Sequence, residues 1–195
     1  MFNESKERTM AATSETRRLE RFDASQGPRI IGPDEGESTY LGSIGARFMA
    51  WTEETGGGFS MLEHPMPARR LAAPVHRHSR EDEYSFVLEG TMGALLGDEV
   101  VYAKPGDLAF KPRNQWHTFW SAGDEPCRVL EIISPGGFEH FFAEFGEMLE
   151  RPDFTPEMLG PLGERYGTEI RPETVPELCE RFGLEFPMPG ADGAA

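Results

Sequence analysis

Short extended runs, each interrupted by Gly or Pro, fill the chain from about Pro28 to Ser134. Several short strands at this spacing are typical of an antiparallel sandwich or barrel. The runs are GARFMAW, GGFSMLE, EYSFVLEG, TMGALLG, EVVYA, DLAFKP, HTFWSAG and CRVLEIIS. We therefore predict one all-β domain at residues 26–135.

The segments on either side of this domain have different patterns. Residues 1–25 are polar and show no apolar period, so we predict that they form a mobile tail. After Ser134, apolar residues recur at spacings of three and four, which predicts a helix with one apolar face. The residues of this face are Phe138, Phe141, Phe142, Phe145 and Leu149. We expect the face to pack on the outside of the sheet domain or against a second subunit, which leaves a homodimer open.

A small repeat occupies the end of the chain, within a predicted C-terminal α-helical extension at residues 136–195. The sequence PEMLGPLGERYGTEI from Pro156 is echoed by PELCERFGLEF from Pro176. Pro is favoured in the first turn of a helix, and Gly is favoured just after its last turn. Each copy therefore predicts a short helix, a Gly stop and an extended tripeptide. We expect the pair to cover a barrel edge or the mouth of a pocket.

The overall charge narrows the range of partners. The chain of 195 residues has 19 Lys and Arg against 34 Asp and Glu, a net charge of −15. No basic stripe is present to contact phosphates, so we expect neither nucleic acid nor an anionic membrane as a partner. The N-terminal sequence has no apolar signal region, so a cytoplasmic location is expected.

Three histidines and one glutamate have the spacing of a metal site. His76 and His78 are two residues apart in an extended segment, so both imidazoles project from one strand face. Glu83 can add a carboxylate oxygen, and His117 can return a third imidazole from a neighbouring strand. Three neutral nitrogens and one hard oxygen suit one divalent ion of Fe, Mn, Co, Ni or Zn, and they leave coordination positions open. The other two histidines, His64 and His140, are interpreted as structural or exposed.

These residues carry a resemblance to a known family. His76-Arg77-His78, four residues, Glu83, six residues and Gly90 resemble the first motif of the cupins, HxH(x)3-4E(x)6G. Gly106, five residues, Pro112 and then His117 resemble the second motif, G(x)5PxG(x)2H(x)3N. The resemblance implies a double-stranded β-helix, or jelly-roll barrel, with His76, His78, Glu83 and His117 as metal ligands. Asn114 replaces the Gly of the second motif, and Asn tolerates the left-handed turn that Gly supplies there.

Neighbours of the expected ligands outline a pocket for a small-molecule substrate. A period of two places Gln115 and Phe119 on the face of His117, and Ser85 and Val87 on the face of Glu83. Phe110 is a further apolar neighbour, so the expected pocket is mainly apolar. The aromatic side chains could line this pocket, or they could simply fill the barrel, as interior residues of small barrels usually do.

The ligand set, the single barrel and an apolar pocket are similar to the quercetinase-like cupin dioxygenases. This resemblance implies a dioxygenase that acts on an aromatic or enolisable small molecule bound to the metal. Glu83 would serve both as a ligand and as the base that takes the substrate proton. Because one fold hosts many activities, two alternatives stay open. One is a redox-neutral cupin such as a polyketide cyclase, an isomerase or a lyase. The other is a non-catalytic cupin that binds a small molecule.

Overall fold

The structure, a computed structural model, describes residues 27–188. The predicted tail at residues 1–25 lies outside this range. The described residues form two antiparallel sheets, one of six strands in the order β1-β2-β3-β10-β5-β8 and one of five in the order β11-β4-β9-β6-β7. The strands are β1 (Ser38–Tyr40), β2 (Gly45–Ala50), β3 (Ser60–Met66), β4 (Val75–His78), β5 (Asp82–Glu89), β6 (Met92–Leu96), β7 (Glu99–Ala103), β8 (Leu108–Lys111), β9 (His117–Ser121), β10 (Cys127–Ser134) and β11 (Thr168–Arg171).

Alternation along the strands explains how the two sheets make one core. In β10 every second residue from Cys127 to Ile133 is buried, and the residues between them are partly exposed. Leu62, Val87 and Val129 of the larger sheet share a single apolar cluster with residues of the smaller sheet, such as Met92. The prediction of an all-β domain made of short strands is confirmed.

After β10, residues 135–188 contain three α-helices: α1 (Glu139–Leu149), α2 (Leu159–Arg165) and, beyond β11, α3 (Val175–Phe182). The aromatic face of α1 lies against the barrel interior, since Phe138, Phe141 and Phe145 belong to the main apolar cluster. The expectation that this face packs on the outside of the sheets or on a second subunit is therefore wrong for the described chain. A homodimer stays a prediction.

Both copies of the C-terminal repeat have the predicted form. Helix α2 is followed by Gly167 at φ +71°, and α3 is followed by Gly183 at φ +64°, so each helix stops at a left-handed glycine. After Gly167, strand β11 pairs with β4 in antiparallel register. After Gly183, Glu185 forms an isolated bridge with Arg70. The repeat therefore adds backbone to the barrel strands, as expected of a segment that covers an edge.

Among residues 27–188, no helix combines the length and the apolar character that a membrane span requires.

Candidate metal centre

His76, His78, Glu83 and His117 come together inside the barrel. One ligand atom from each of the four lies within 4.8 Å of the others, and all four residues are buried. The fold explains the meeting: His76 is directly opposite His117 in the β4–β9 pair, while Glu83 enters from β5 in the other sheet. The cluster therefore lies between the two sheets, and its four side chains come from three strands, β4, β9 and β5.

Hydrogen bonds on the far side of each imidazole set its orientation. His76 Nδ1 donates to the carbonyl oxygen of Pro74 at 2.8 Å, and His117 Nδ1 donates to that of Gln115 at 3.0 Å. His78 Nδ1 contacts Thr168 Oγ1 at 3.1 Å, and we assign it the same tautomer. Such outer contacts place the lone pair of a neutral histidine on Nε2, which is the arrangement found in metal-ligating histidines.

The inner nitrogens face a carboxylate rather than a hydrogen-bond donor. His117 Nε2 lies 3.1 Å from Glu83 Oε2, and His78 Nε2 lies 3.3 Å from Glu83 Oε1. His78 Nε2 is buried and has no hydrogen-bond partner. Because lone pairs on Nε2 and on the carboxylate converge on one buried volume, they repel one another unless a cation lies among them. The residues present therefore fit a divalent metal ion held by three nitrogens and one oxygen.

Two charged residues beside the cluster were not found from the sequence. Lys111 Nζ lies 2.9 Å from Glu83 Oε2 and 3.1 Å from Glu131 Oε1, and both Lys111 and Glu131 are almost wholly buried. Ser85 Oγ donates to Glu131 Oε2 at 2.7 Å. The available signal was a Lys in DLAFKP and a Glu in CRVLEIIS, charged residues within runs that are otherwise rich in apolar side chains.

The ion pairs determine which of these groups carry charge. Burial raises the pKa of the Glu83 carboxyl, but the Lys111 ammonium and the neighbouring imidazoles outweigh it and hold that pKa well below its usual value. Burial lowers the pKa of Lys111, yet Glu131 and Glu83 together keep it above its usual value. Glu83 is therefore ionised and available as a ligand at neutral pH.

Burial also keeps His76 and His78 neutral. It lowers the pKa of His78 to about 4, and it lowers that of His76 well below the usual 6.5, with a further contribution from the neighbouring imidazoles at His76. Outside the cluster, burial lowers the pKa of His64 to about 4 as well. Neutral imidazole is the form that binds a metal. At neutral pH, His76 and His78 therefore do not have to release a proton before a metal binds.

Acidification is expected to destabilise the metal-free protein between about pH 6.5 and pH 4. In that window His64 and His78 stay neutral in the folded state but take up protons in the unfolded chain, so the unfolded state binds more protons. The free energy of unfolding should then fall by about 1.4 kcal/mol per pH unit for each such histidine. Urea unfolding in the presence of a chelator at pH 7, 5.5 and 4.5 measures the slope. Glu81, whose pKa burial raises to about 7, contributes a slope of opposite sign in every variant. His64→Gln should therefore be compared with the wild type: it should lower the slope, and an unchanged slope would contradict the assignment of His64.

A cavity of about 850 Å³ opens from the cluster toward the C-terminal segment. His76, Glu83 and Glu131 line its inner end, and His64 is also part of the wall. Its apolar wall comes from both the barrel and the helices, and it includes Leu41, Ile44, Phe119, Phe138, Phe141, Phe142, Phe145, Leu159, Val175 and Phe186. The aromatic face of α1 is therefore part of this cavity.

Three of the five predicted pocket residues point into the barrel, but only one of the five lines the cavity. Phe119 is in its wall. Ser85 and Val87 point inward on the face of Glu83, as the period of two predicts, but both are fully buried beneath other side chains. Ser85 supports Glu131 instead, and Val87 belongs to the apolar core.

Phe110 and Gln115 lie outside the cavity, so their assignment to the pocket is corrected. The β5–β8 register places Lys111 opposite Glu83 and Phe110 opposite Tyr84. Phe110 therefore faces outward, 48% exposed, with its ring stacked on Tyr84 at 4.9 Å. Gln115 precedes β9, so the alternation that starts at His117 does not extend to it, and its side chain is exposed.

His140, the remaining histidine, lies near the surface. Its Nε2 is 3.0 Å from Glu53 Oε1 and 3.7 Å from Glu139 Oε1. Glu139 already accepts hydrogen bonds from the backbone N–H groups of Thr52 and Gly137, both at 2.7 Å. The carboxylate therefore serves as a local cap, in agreement with the interpretation of His140 as structural or exposed.

Comparison with known proteins shows which family the barrel resembles. Residues 64–133 match the sequence model described as the Cupin domain. Over this stretch, about a third of the chain, the sequence is similar to a cupin domain. It contains all four residues of the candidate metal site as well as Lys111 and Glu131. The replacement of Gly by Asn114 in the second cupin motif is accommodated at φ +66°, where its N–H donates to the carbonyl oxygen of His78 at 2.7 Å.

Solved structures agree with the cupin fold. KdgF from Halomonas sp. is 17% identical, with 58% of this chain and 99% of that chain covered and a TM-score of 0.51. An RmlC-like cupin from Shewanella frigidimarina is 15% identical, with 58% and 96% covered and a TM-score of 0.50. No curated protein matches the sequence. The predicted double-stranded β-helix with a C-terminal helical appendage is confirmed.

Proposed function

We propose that this cupin is a metal-dependent dioxygenase that acts on an aromatic or enolisable small molecule. One observation carries the proposal: a buried set of three histidines and one glutamate opens into a cavity of about 850 Å³ with aromatic walls. A ligand set of this kind leaves coordination positions free for a substrate oxygen. The barrel, α1 and the C-terminal segment all contribute walls to this cavity, and its volume suits a small molecule.

His76, His78, Glu83 and His117 would hold one divalent ion, with Fe, Mn, Co, Ni and Zn as the candidates. When bound, the metal supplies Lewis acidity to a substrate oxygen. The protein contributes the orientation of the ligands through the three outer hydrogen bonds. It also keeps the Glu83 carboxylate ionised through Lys111, so that a charged oxygen is always present at the inner end of the cavity.

Glu83 is the group to which we assign proton removal from the substrate. Its carboxylate faces the cavity and is ionised, so it can accept a proton from an enol or phenol oxygen placed beside it. The Lys111 ammonium on the same carboxylate favours return of that proton in a later step, because protonation of Glu83 weakens the 2.9 Å ion pair. Glu131 shares Lys111 and also lines the cavity, so it is a second acceptor within reach of the same space.

The aromatic wall accounts for the proposed substrate class. Phe138 and Phe142 meet edge to face with ring centroids 5.1 Å apart, and Phe138 also packs on His78 at 4.3 Å. Flat rings at such angles offer faces and edges to an aromatic substrate, and they keep water from its reactive carbon. An apolar body with one or two oxygens near the metal is the shape that this cavity accommodates best.

Oxygen uptake with a flavonol tests this function. The metal-loaded wild type should consume oxygen when the flavonol is added, and His76→Ala/His117→Ala should reduce the rate at least about 100-fold because the metal is lost. Turnover of an enolisable substrate at an unchanged rate without oxygen would overturn the dioxygenase and favour a redox-neutral cyclase, isomerase or lyase. Tight flavonol binding without turnover under either condition would favour a binding protein.

A further inference from the structure

The C-terminal repeat contributes a side chain to the metal cluster. Strand β11 pairs with β4 so that Thr168 lies directly opposite His78, although the two residues are 90 positions apart. Thr168 is 5% exposed, and its Oγ1 lies 3.1 Å from His78 Nδ1. The hydroxyl thus lies on the outer side of His78, where an acceptor fixes the orientation of the imidazole ring.

The three histidines differ in how their outer nitrogens are held. His76 and His117 donate to carbonyl oxygens only two residues earlier, so their orientation is built into their own strands. His78 has no such local carbonyl partner among the described residues, and its Nδ1 depends on Thr168. Of the three imidazoles, it is therefore the one whose orientation depends on a segment outside the cupin domain.

The same segment covers the cavity and is tied to β4 at both ends. Ser79 donates twice to the carbonyl oxygen of Gly167, from its N–H at 2.9 Å and from its Oγ at 2.8 Å. At the other end, the N–H of Val75 donates to Thr174 Oγ1 at 3.1 Å. Thr168 lines the cavity, and Thr174 directly precedes Val175, which also lines it. Only Thr168 contacts a histidine of the cluster.

We propose that Thr168 is a positioning residue for the metal centre, and that docking of the C-terminal segment over the cavity and retention of the metal stabilise each other. The inference rests on the metal site of the proposed function, but not on its reaction. Coupling of this kind is reciprocal: if docking of β11 strengthens metal binding, metal binding must strengthen the docking of β11 by the same factor. The cavity would then be closed most firmly when it holds a metal.

One other acceptor lies near His78 and has to be tested with Thr168. Glu81 Oε2 is 4.0 Å from His78 Nδ1, too far for a hydrogen bond, and it is buried without a hydrogen-bond partner. If Glu81 rather than Thr168 oriented the His78 ring, Glu81→Gln would weaken metal binding and Thr168→Val would not. The 3.1 Å contact favours Thr168.

The experiment compares variants of the full chain in Co²⁺ binding. Thr168→Val keeps the branched shape and removes the hydroxyl, Thr168→Ser keeps the hydroxyl, and Thr174→Val removes the hydroxyl that serves only the backbone. Titration against a chromophoric chelator should show Co²⁺ binding weakened about 10- to 100-fold in Thr168→Val. Thr168→Ser, Thr174→Val and Glu81→Gln should stay within about threefold of the wild type. The visible spectrum of bound Co²⁺ should change only in Thr168→Val.

Hydrogen exchange gives the second measurement. In the wild type, Co²⁺ should slow exchange of the backbone amides of residues 168–171, and this effect should shrink in Thr168→Val but not in Thr174→Val. If Thr168→Val is poorly folded, Thr168→Ala is compared with Thr168→Ser in the same way. Wild-type affinity in a folded Thr168→Val, or exchange that ignores Co²⁺, overturns the coupling while leaving the metal site intact. A wild type that binds no Co²⁺ overturns the metal site, and the inference fails with it.

Discussion

Replacing two of the three histidines, in His76→Ala/His117→Ala, is expected to reduce bound metal from about one equivalent per chain to less than about a tenth. The two imidazoles face each other across the β4–β9 pair with ring centroids 4.4 Å apart, so the double variant removes one whole side of the cluster. His78 and Glu83 alone leave two ligands, too few for a closed shell around any of the candidate ions. Elemental analysis of the protein purified in parallel with the wild type measures the effect.

A matched control separates loss of ligands from loss of histidine in general. His140→Ala removes an imidazole that pairs with Glu53 near the surface, so its metal content should equal that of the wild type. Thermal unfolding of the metal-free proteins checks that the double variant keeps its fold. Metal at one equivalent in His76→Ala/His117→Ala, or no metal in a reconstituted wild type, would refute the assignment of the four ligands.

The ligand cluster could be predicted because its geometry is local or follows simple periods. The spacing of two between His76 and His78 is meaningful only on a strand, and both residues do share the inner face of β4. Glu83 and His117 each begin an extended run, and the structure brings both to the same point. Short-range periodicity therefore predicted the pair His76 and His78, and the resemblance to the cupin motifs added Glu83 and His117. The sheet order that brings the four together is a property of the whole chain.

The side chain that β8 buries could not be predicted from the sequence in this way. In DLAFKP the alternation allows either Phe110 or Lys111 inside, and hydrophobicity alone favours Phe110. The observed register buries Lys111, because its ammonium compensates Glu83 and Glu131 across two neighbouring strands. A charge that is stable only through partners 28 and 20 residues away cannot be found from a period of two.

For helix α1, the sequence predicted the aromatic face but not the surface against which it packs. The spacing of its phenylalanines correctly predicted an amphipathic helix with one aromatic face. Where that face packs depends on the cavity that the barrel leaves open, and Phe138 reaches as far as the ring of His78. Sequence periodicity describes the face of a helix, but only the tertiary structure says which surface covers it.

Lys111→Met is expected to destabilise the metal-free protein by about 3–5 kcal/mol at pH 7, the cost of leaving a buried charge uncompensated. Lys111 is 2% exposed and is the cation that contacts both Glu83 and Glu131. Its loss leaves two buried carboxylates close to each other without the positive charge that compensates them. Their pKa values should rise in the folded state, so the folded variant binds more protons than the unfolded chain. Its stability deficit should therefore shrink as the pH falls from 7 toward 4.5.

Urea unfolding of chelator-treated protein at pH 7 and pH 5 measures the deficit and its pH dependence. Lys104→Met removes an exposed lysine from the turn before β8 and should change the free energy of unfolding by less than about 0.5 kcal/mol.

Lys111→Met/Glu131→Gln removes one of the two carboxylates, and it should recover much of the lost stability. Added metal should also recover part of it, because a divalent ion beside Glu83 replaces the missing positive charge. Wild-type stability in Lys111→Met at pH 7 would mean that the buried carboxylates do not depend on this ammonium, and the charge assignment at the inner end of the cavity would have to be abandoned.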